Sequence, residues 1–172
     1  LGTGHAVLQA EPLLQGEAGT LLVTCGDTPL VTKETFTALI DCHEQSGAAA
    51  TVLTAHMPDP TGYGRVIRDE KGQVVKIVEQ KDGTPEELAV DEVNAGIYCF
   101  DMSLLWDMLH NVTNDNAQGE YYLTDIIGML VSAGKVVSAF AVPSYAETLG
   151  VNSRQQMAEA ERVLRQRKLD EL

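Results

Sequence analysis

Polar side chains stand where a predicted buried strand ends, in the segment Cys25-Gly-Asp-Thr-Pro-Leu30. In open α/β sheets, ligands bind beyond the carboxyl ends of the strands, and Asp27 lies at such a point. A carboxylate there suits Mg²⁺, which takes carboxylate oxygens together with substrate phosphates. Gly26 would let the backbone come close to a ligand. The segment is a candidate metal site, although an Asp that only caps the turn fits the same pattern.

Further hydrogen-bonding groups lie beside the next predicted strands. The loop 59–65 contains Gly62 and Gly64, which could bring backbone N–H groups against a ligand, although a tight connection is the simpler explanation. Glu79 ends a strand, and Asn94 lies within an otherwise apolar one. A buried amide costs free energy unless it is paired. Asn94 therefore predicts a partner, either a sugar hydroxyl or a structural hydrogen bond.

Two polar segments precede predicted helices in the second half of the chain. The segment 116–125 is dense in hydrogen-bonding groups, and its Thr124 could simply cap the helix that follows. Asn152 is a candidate metal ligand or an ordinary loop residue before a cap at Ser153. Both segments stay open between a binding role and a structural one.

The histidines and cysteines suggest no catalytic pattern. The 4 histidines share no metal-ligand spacing, and we place His43 and His110 on helix surfaces. The 3 cysteines are an odd number without C-x-x-C, which favours a reducing cytoplasm over disulfides or a zinc site. G-x-S-x-G and H-E-x-x-H do not occur, so nucleophilic catalysis and zinc hydrolysis are unsupported.

Length and charge limit the class of protein. A chain of 172 residues predicts one domain, 1–172. The net charge of -13 argues against nucleic acid, which is bound through clustered Lys and Arg. A small phosphorylated ligand stays possible, because a few local groups or a metal outweigh the global charge. No apolar run reaches the roughly 18 residues that span a bilayer, so we expect no membrane partner.

The candidate residues need a sheet to bring them together, and the apolar pattern predicts one. Strand 19–25, a helix with Thr32 as N-cap and Gly47 as its stop, and strand 48–57 form a βαβ unit. The predicted fold is therefore an α/β domain with a mostly parallel mixed sheet and helices on both faces. The remaining predicted elements are a hairpin at 64–79, strands at 92–100 and 136–142, and helices from 101, at 122–132 and from 153.

The order of these segments is more specific than any one of them. Leu-Gly-Thr-Gly-His-Ala, Gly-Asp-x-Pro-Leu, Asp-Pro-Thr-Gly-Tyr-Gly-Arg, Ile-Val-Glu-x-Lys-Asp, Glu-x-Asn-x-Gly-Ile, Asn-Ala-Gln-Gly-Glu-Tyr-Tyr-Leu-Thr-Asp and Gly-Val-Asn-Ser-Arg follow one another. Together they closely resemble the uridyltransferase domain of bacterial N-acetylglucosamine-1-phosphate uridyltransferases. The resemblance covers nearly the whole chain.

The resemblance implies a Rossmann-like nucleotidyltransferase fold and a Mg²⁺-dependent reaction. N-acetylglucosamine-1-phosphate would attack the α-phosphorus of UTP, giving UDP-N-acetylglucosamine for cell-wall precursors and releasing pyrophosphate. By this resemblance, the catalytic Mg²⁺ is held by Asp27 and Asn152. The substrate-binding positions that it implies are Gly2 and Thr3 beside the uracil, Gly26, Gly64 through its backbone, Glu79 and Asn94 on the sugar, and Tyr122 and Thr124 at the sugar and phosphate end.

Departures from the family pattern set further expectations. The family's first strand and Gly-x-Gly-Thr-Arg-Met loop belong before Leu1, and its hexapeptide-repeat domain has no match, so we expect no turnover from this sequence alone. Cys25 stands where the family often has an aromatic residue, which leaves base and ribose contacts open. The alternatives are another sugar-1-phosphate as substrate, or a non-catalytic remnant that binds a nucleotide sugar. We also expect either a longer native chain or pairing with a second copy.

Overall fold

Six strands form a single mixed sheet in the order β4-β3-β5-β2-β6, with β1 paired to β5. The computed structural model describes residues 1–170. The strands are β1 (Thr20–Val23), β2 (Ala50–His56), β3 (Arg65–Arg68), β4 (Val74–Val78), β5 (Glu92–Asp101) and β6 (Val137–Ala141).

Helices cover both faces of this sheet. They are α1 (Gly2–Leu8), α2 (Glu11–Leu14), α3 (Lys33–Ser46), α4 (Pro85–Leu88), α5 (Met102–Asn111), α6 (Asp125–Ser132) and α7 (Arg154–Asp170), with a 3₁₀ helix at Tyr145–Thr148. None of the helices within residues 1–170 has the length and apolar character needed to cross a membrane.

The sheet confirms the mixed α/β class but corrects the expected pairing. β2 and β6 are the parallel pair, whereas β1–β5, β2–β5, β3–β4 and β3–β5 are antiparallel. The prediction of a mostly parallel sheet is therefore wrong for the part of the chain described. β1 and β2 do run in the same direction, but β5 lies between them. That placement depends on a contact between distant segments, which a local strand–helix–strand pattern does not contain.

β1 also differs from its prediction as a strand covered on both faces. Its residues are exposed or half-buried, and within residues 1–170 it is hydrogen-bonded along one edge, to β5. Its apolar residues Leu21, Leu22 and Val23 match the pattern of an interior strand, so composition alone did not distinguish the two situations.

Local signals at helix ends and turns were predicted correctly. The Thr32 side chain accepts a hydrogen bond from the Thr35 amide at the start of α3, and Gly47 ends that helix at φ 58°. Gly72 takes a φ of 78° in the turn between β3 and β4. These features depend on neighbours in sequence, which explains why the sequence predicts them well.

The apolar core lies on both faces of the sheet. On one face Phe100 packs in a cluster with Leu105 and Ile126 of α5 and α6. On the other face, Leu39 of α3 packs against Ile97. All of these side chains are at most 1% exposed. The elements that carry the polar segments are therefore fixed to a common core.

His43 corrects a second prediction, because it is buried and not on the helix surface. It is 5% exposed, and its Nδ1 lies 3.0 Å from Oγ1 of Thr51 in β2. The reason is helical spacing, since His43 follows the core residue Leu39 by one turn and shares its face. Burial lowers the pKa of His43, against the opposing effect of Asp101 and Glu44. His110, by contrast, is exposed as predicted.

Candidate active site

A cavity of about 400 Å³ opens where β1, β4 and β5 meet the loops that connect them. Residues from separate parts of the chain line it, including five of the positions singled out from sequence. Those five are Asp27, Gly64, Glu79, Asn94 and Asn152. The fold thus brings together candidates that are spread over most of the chain.

A bulge in β5 forms one side of this cavity. The pairing of β5 with β2 shifts between Val52 and Thr54, so that extra residues of β5 stand out of the ladder. Gly96 lies in the bulge at φ 73°, a conformation that side chains rarely adopt. Bulges re-aim side chains and are frequent next to active sites. Here the bulge places Asn94 and Gly96 on the cavity surface.

The partially buried amide of Asn94 has structural partners within the same strand. Its Nδ2 donates to the Tyr98 hydroxyl at 2.7 Å, and its Oδ1 accepts from the Gly96 amide at 3.0 Å. Burial is the main factor that raises the pKa of Tyr98, so this hydroxyl stays protonated. An amide has two N–H groups and two acceptor lone pairs, so these contacts leave hydrogen-bonding capacity for a ligand.

Glu79 is a half-buried carboxylate at the end of β4. Its Oε1 accepts a hydrogen bond of 2.9 Å from the Thr124 hydroxyl. Burial raises the pKa of Glu79, the bond from Thr124 opposes this, and the charge of Asp82 adds to it. A raised pKa in a cleft is a common feature of functional carboxylates. Glu79 therefore presents to the cavity a hydrogen-bond acceptor whose ionisation depends on its surroundings.

Asp27 and Asn152 lie on either side of Gly150. A Cβ on Gly150 would be 3.3 Å from Nδ2 of Asn152 and 3.7 Å from Oδ2 of Asp27. The backbone also joins the two segments, because the Val151 amide donates to the Asp27 carbonyl at 2.7 Å. Within residues 1–170 neither side chain is hydrogen-bonded to another group, so both are available to a ligand.

This pair fits a hard divalent cation that keeps most of its other ligands outside the protein. Mg²⁺ is often held by one or two protein oxygens together with waters and substrate phosphates. One carboxylate and one amide oxygen meet that need. Among the residues that the structure describes, no group of three or more His, Cys, Asp or Glu side chains could hold a metal ion. A site such as that at Asp27 and Asn152 would depend on the substrate to complete it.

The loop before β3 adds a backbone group to the cavity. Gly64 is buried, and its N–H has no hydrogen-bond partner in the described part of the chain. Buried N–H groups without a partner are rare in native proteins. A Cβ on Gly64 would lie 3.5 Å from Oε2 of Glu79. The Gly64 amide is thus a free donor close to the Glu79 carboxylate.

The other predicted positions do not line this cavity. The Tyr122 hydroxyl donates to Asp82 at 3.2 Å. Gly2 packs on Glu120 and Tyr121, and a Cβ there would come within 2.6 Å of the Tyr121 carbonyl. Thr3 accepts a bond from the Leu123 amide at 3.0 Å. Thr124 reaches the cavity only through Glu79, and Gly26 adjoins the lining residues Cys25 and Asp27. These contacts hold the five residues in place within the fold. A ligand-binding role for these residues stays a prediction.

Sequence reasoning missed several cavity residues. Tyr63, Thr148 and Gln156 line the cavity, and none was singled out; Tyr63 lies within the Asp-Pro-Thr-Gly-Tyr-Gly-Arg segment, whereas Thr148 and Gln156 lie in none of the quoted segments. Gln156 belongs to the segment Ser153-Arg-Gln-Gln, which is typical of a helix cap, and its Oε1 accepts from the Asn152 amide at 2.8 Å. The only signal for Tyr63 is its place between the glycines of the 59–65 loop.

Comparison with known proteins identifies the family of this chain. The profile of the family described as "Nucleotidyl transferase" matches residues 1–146. The chain belongs to the nucleotidyl transferase family. The match covers Asp27, Gly64, Glu79 and Asn94, whereas Asn152 lies beyond it.

Similar proteins include several named "Bifunctional protein GlmU". The chain is 58% identical to the GlmU protein of Lactobacillus delbrueckii subsp. bulgaricus over 167 residues, which are 97% of this chain. The match covers 36% of that protein's length. The chain is also 58% identical over 167 residues to the GlmU protein of Shouchella clausii and covers 37% of that protein's length. It is 54% identical over 167 residues to the GlmU protein of Geobacillus sp. (strain WCH70) and covers 36% of that protein's length. The chain therefore spans little more than a third of these relatives.

Proposed function

We propose that this chain supplies the sugar-binding and metal-binding part of a uridylyltransferase. The reaction is attack of N-acetylglucosamine-1-phosphate on the α-phosphorus of UTP, which gives UDP-N-acetylglucosamine and releases pyrophosphate. Membership of the nucleotidyl transferase family and high identity to the GlmU proteins support this reaction class. The absence of a disulfide-type cysteine pattern supports a cytoplasmic setting.

The observation that carries the proposal is the convergence of Asp27, Gly64, Glu79, Asn94 and Asn152 on one cavity. A sugar carries hydroxyl groups that both donate and accept hydrogen bonds. The cavity offers a matching set, with a free N–H at Gly64, a carboxylate at Glu79 and an amide at Asn94. These groups lie on the side of the cavity formed by β4, β5 and the loop before β3.

The anionic part of the ligand is assigned to the other side of the cavity, at Asp27 and Asn152. We propose that these side chains bind Mg²⁺, which supplies Lewis-acid stabilisation of phosphate charge when it is bound. A net charge of -13 gives the chain no general attraction for phosphate, so a local cation is needed there. Asp27 and Asn152 would thus orient the phosphate end relative to the sugar.

Phosphoryl-type transfer asks little covalent chemistry of the protein. Its catalysis comes mainly from positioning and from stabilisation of charge on the phosphates. The residues of this chain would contribute by fixing the sugar, so that an oxygen of its 1-phosphate faces the α-phosphorus. UTP and N-acetylglucosamine-1-phosphate are the proposed substrates, and Gly2 and Thr3 are proposed to lie near the uracil.

Calorimetric titration with UDP-N-acetylglucosamine, with and without Mg²⁺, tests this function. We expect binding that Mg²⁺ strengthens. Asp27→Asn should remove the effect of Mg²⁺, and Glu79→Gln, which keeps an acceptor for Thr124, should weaken binding in both conditions. Asp91→Asn is the matched control, because Asp91 is an exposed carboxylate paired with His56 outside the cavity.

The outcomes separate the proposed function from its alternatives. Equal binding of UDP-glucose would indicate a site that does not select the N-acetyl group and favour another sugar-1-phosphate. Absence of heat with every ligand would contradict the proposal. Binding that Mg²⁺ does not affect would favour a non-catalytic nucleotide-sugar binder.

A further inference from the structure

We propose that Arg65 and Gln80 are positioning residues that hold the loop Gly62–Gly64 in its ligand-binding conformation. This inference rests on the proposed function, since it assigns a purpose to the loop. It concerns residues that do not line the cavity themselves. They act on it through the backbone of the loop.

Arg65 is the largest of the fully buried side chains in the described part of the chain, at 2% exposure. Its guanidinium forms no salt bridge within residues 1–170 and instead donates to the Tyr63 carbonyl and, at 3.0 Å, to Oε1 of Gln80. Its Nε has no hydrogen-bond partner there. The charge of Arg65 interacts with Asp59 without forming a salt bridge. Burial of a cation that lacks a salt bridge is costly, so a role in stability alone does not explain it.

Gln80 connects the Arg65 guanidinium to the loop Gly62–Gly64. Its Oε1 accepts from both Arg65 Nη2, at 3.0 Å, and the Gly62 amide, at 2.9 Å. Gly62 has a φ of 89°, and glycine has more backbone freedom than other residues, so a hydrogen bond at its amide restricts the loop. Gln80 Oε1 thereby joins the Gly62 amide to the Arg65 side chain, which in turn donates to the Tyr63 carbonyl.

The position fixed in this way is that of the free N–H of Gly64. The Gly64 carbonyl accepts from the Asn94 amide at 2.9 Å, which joins the loop to the bulge of β5. With the carbonyl fixed by β5 and the preceding residues fixed by Arg65 and Gln80, the Gly64 N–H has a defined direction. A preorganised donor binds a ligand more tightly than a mobile one, because less ordering is needed on binding.

Substitution of Gln80 separates positioning from stability. Gln80→Met keeps the side-chain length but removes the acceptor, and should weaken binding of UDP-N-acetylglucosamine about tenfold. Gln80→Glu keeps an oxygen for both donors and should bind within about threefold of the unmodified chain. Arg65→Lys, which cannot reach both acceptors at once, should behave as Gln80→Met does.

Hydrogen exchange provides a readout without ligand. In Gln80→Met the Gly62 amide should exchange faster, while amides of β5 keep their protection. Unchanged affinity and exchange in Gln80→Met, even with a lower melting temperature, would overturn the positioning role. If the unmodified chain binds no UDP-N-acetylglucosamine, the proposed function fails, and unchanged Gly62 exchange would then reject the positioning as well.

Discussion

The Thr124 hydroxyl donates a 2.9 Å hydrogen bond to Oε1 of Glu79, joining the residue before α6 to the residue after β4. Thr124 is 3% exposed, so water does not readily replace it. This bond holds the Glu79 carboxylate in place and favours its ionised form, against the burial that raises its pKa. The charge of the proposed sugar site therefore depends on a residue that does not line the cavity.

Replacement of Thr124 by Val should change the ionisation of Glu79. Without the donated bond, burial acts unopposed by Thr124, so the pKa of Glu79 should rise further. Loss of the bond should also destabilise the fold by about 1 kcal/mol. Titration of the Glu79 carboxyl carbon by NMR measures the first effect and thermal unfolding the second. Thr124→Ser keeps the hydroxyl and should restore the pKa; equal pKa values in the Val and Ser variants would contradict this account.

The raised pKa of Glu79 also predicts how stability depends on pH. The folded state holds a proton on Glu79 at pH values above the ordinary 4.5, where the unfolded chain has released it. The free energy of unfolding should therefore fall as pH rises from about 4.5 through the folded pKa. Glu79→Gln should remove this contribution and be more stable relative to the parent above that window. Urea unfolding at several pH values, with Asp91→Asn as control, measures the difference.

The sequence predicted the types of residue that form the site better than it predicted how the fold arranges them. Gly-Asp, Tyr-Gly-Arg and Glu-x-Asn are segments whose residue types carry information on binding. The arrangement depends on β5 lying between β1 and β2, which is a contact between segments about half the chain apart. Period and propensity describe neighbours in sequence, so they predicted the hairpin and the cap at Thr32 but not this insertion.

The burial of Arg65 is a second feature that the sequence did not predict. Arg65 begins β3, and Arg side chains are mostly exposed in proteins, so residue type alone does not predict that this one is 2% exposed. His43 is the reverse case, because its spacing from Leu39 already indicated the buried face. Burial of a polar residue depends on partners such as Gln80 or Thr51, which lie on other elements.

A methyl group at Gly64 should block the cavity. The Cβ of Gly64→Ala would lie 3.1 Å from Cγ2 of Ile77 and 3.5 Å from Oε2 of Glu79. We expect destabilisation of about 1 kcal/mol and at least tenfold weaker binding of UDP-N-acetylglucosamine. Gly128→Ala in α6 is the control, because its Cβ would make an ordinary 3.7 Å contact with Cβ of Lys76 in β4, and it should stabilise the fold slightly. Equal binding by both variants would mean that the ligand does not approach Gly64.

Gly26 offers a test in which fold and binding separate. A Cβ at Gly26 would meet no atom of the protein within 4 Å, so Gly26→Ala should fold with unchanged stability. If a ligand approaches this backbone, as its place beside Asp27 predicts, affinity should drop by about tenfold. Calorimetry and thermal unfolding of the same sample give the two values. Retained affinity would remove Gly26 from the binding positions.

Cys25 gives a chemical probe of the cavity. Burial, and then the charge of Asp27, raises the pKa of its thiol, so alkylation by iodoacetamide should be slow near neutral pH and faster in alkaline buffer. The modified chain should bind UDP-N-acetylglucosamine weakly, because Cys25 lines the cavity. Asp27→Asn should speed the alkylation at a given pH, as measured by mass spectrometry. Cys25→Ser, treated in the same way, should keep its affinity; loss of binding there would locate the effect at another cysteine.

The position of β5 also has a kinetic consequence for the cavity. This strand is hydrogen-bonded to β1, β2 and β3, and it carries Asn94 and Gly96 in its bulge. Elements bonded on both sides and packed in the core open only with the whole domain. The bulge of β5 should thus keep the same conformation with and without a ligand for as long as the chain stays folded. Ligand entry and exit would then depend on loops that β5 does not hold, such as 150–152, because loops in general move on a faster timescale than core strands.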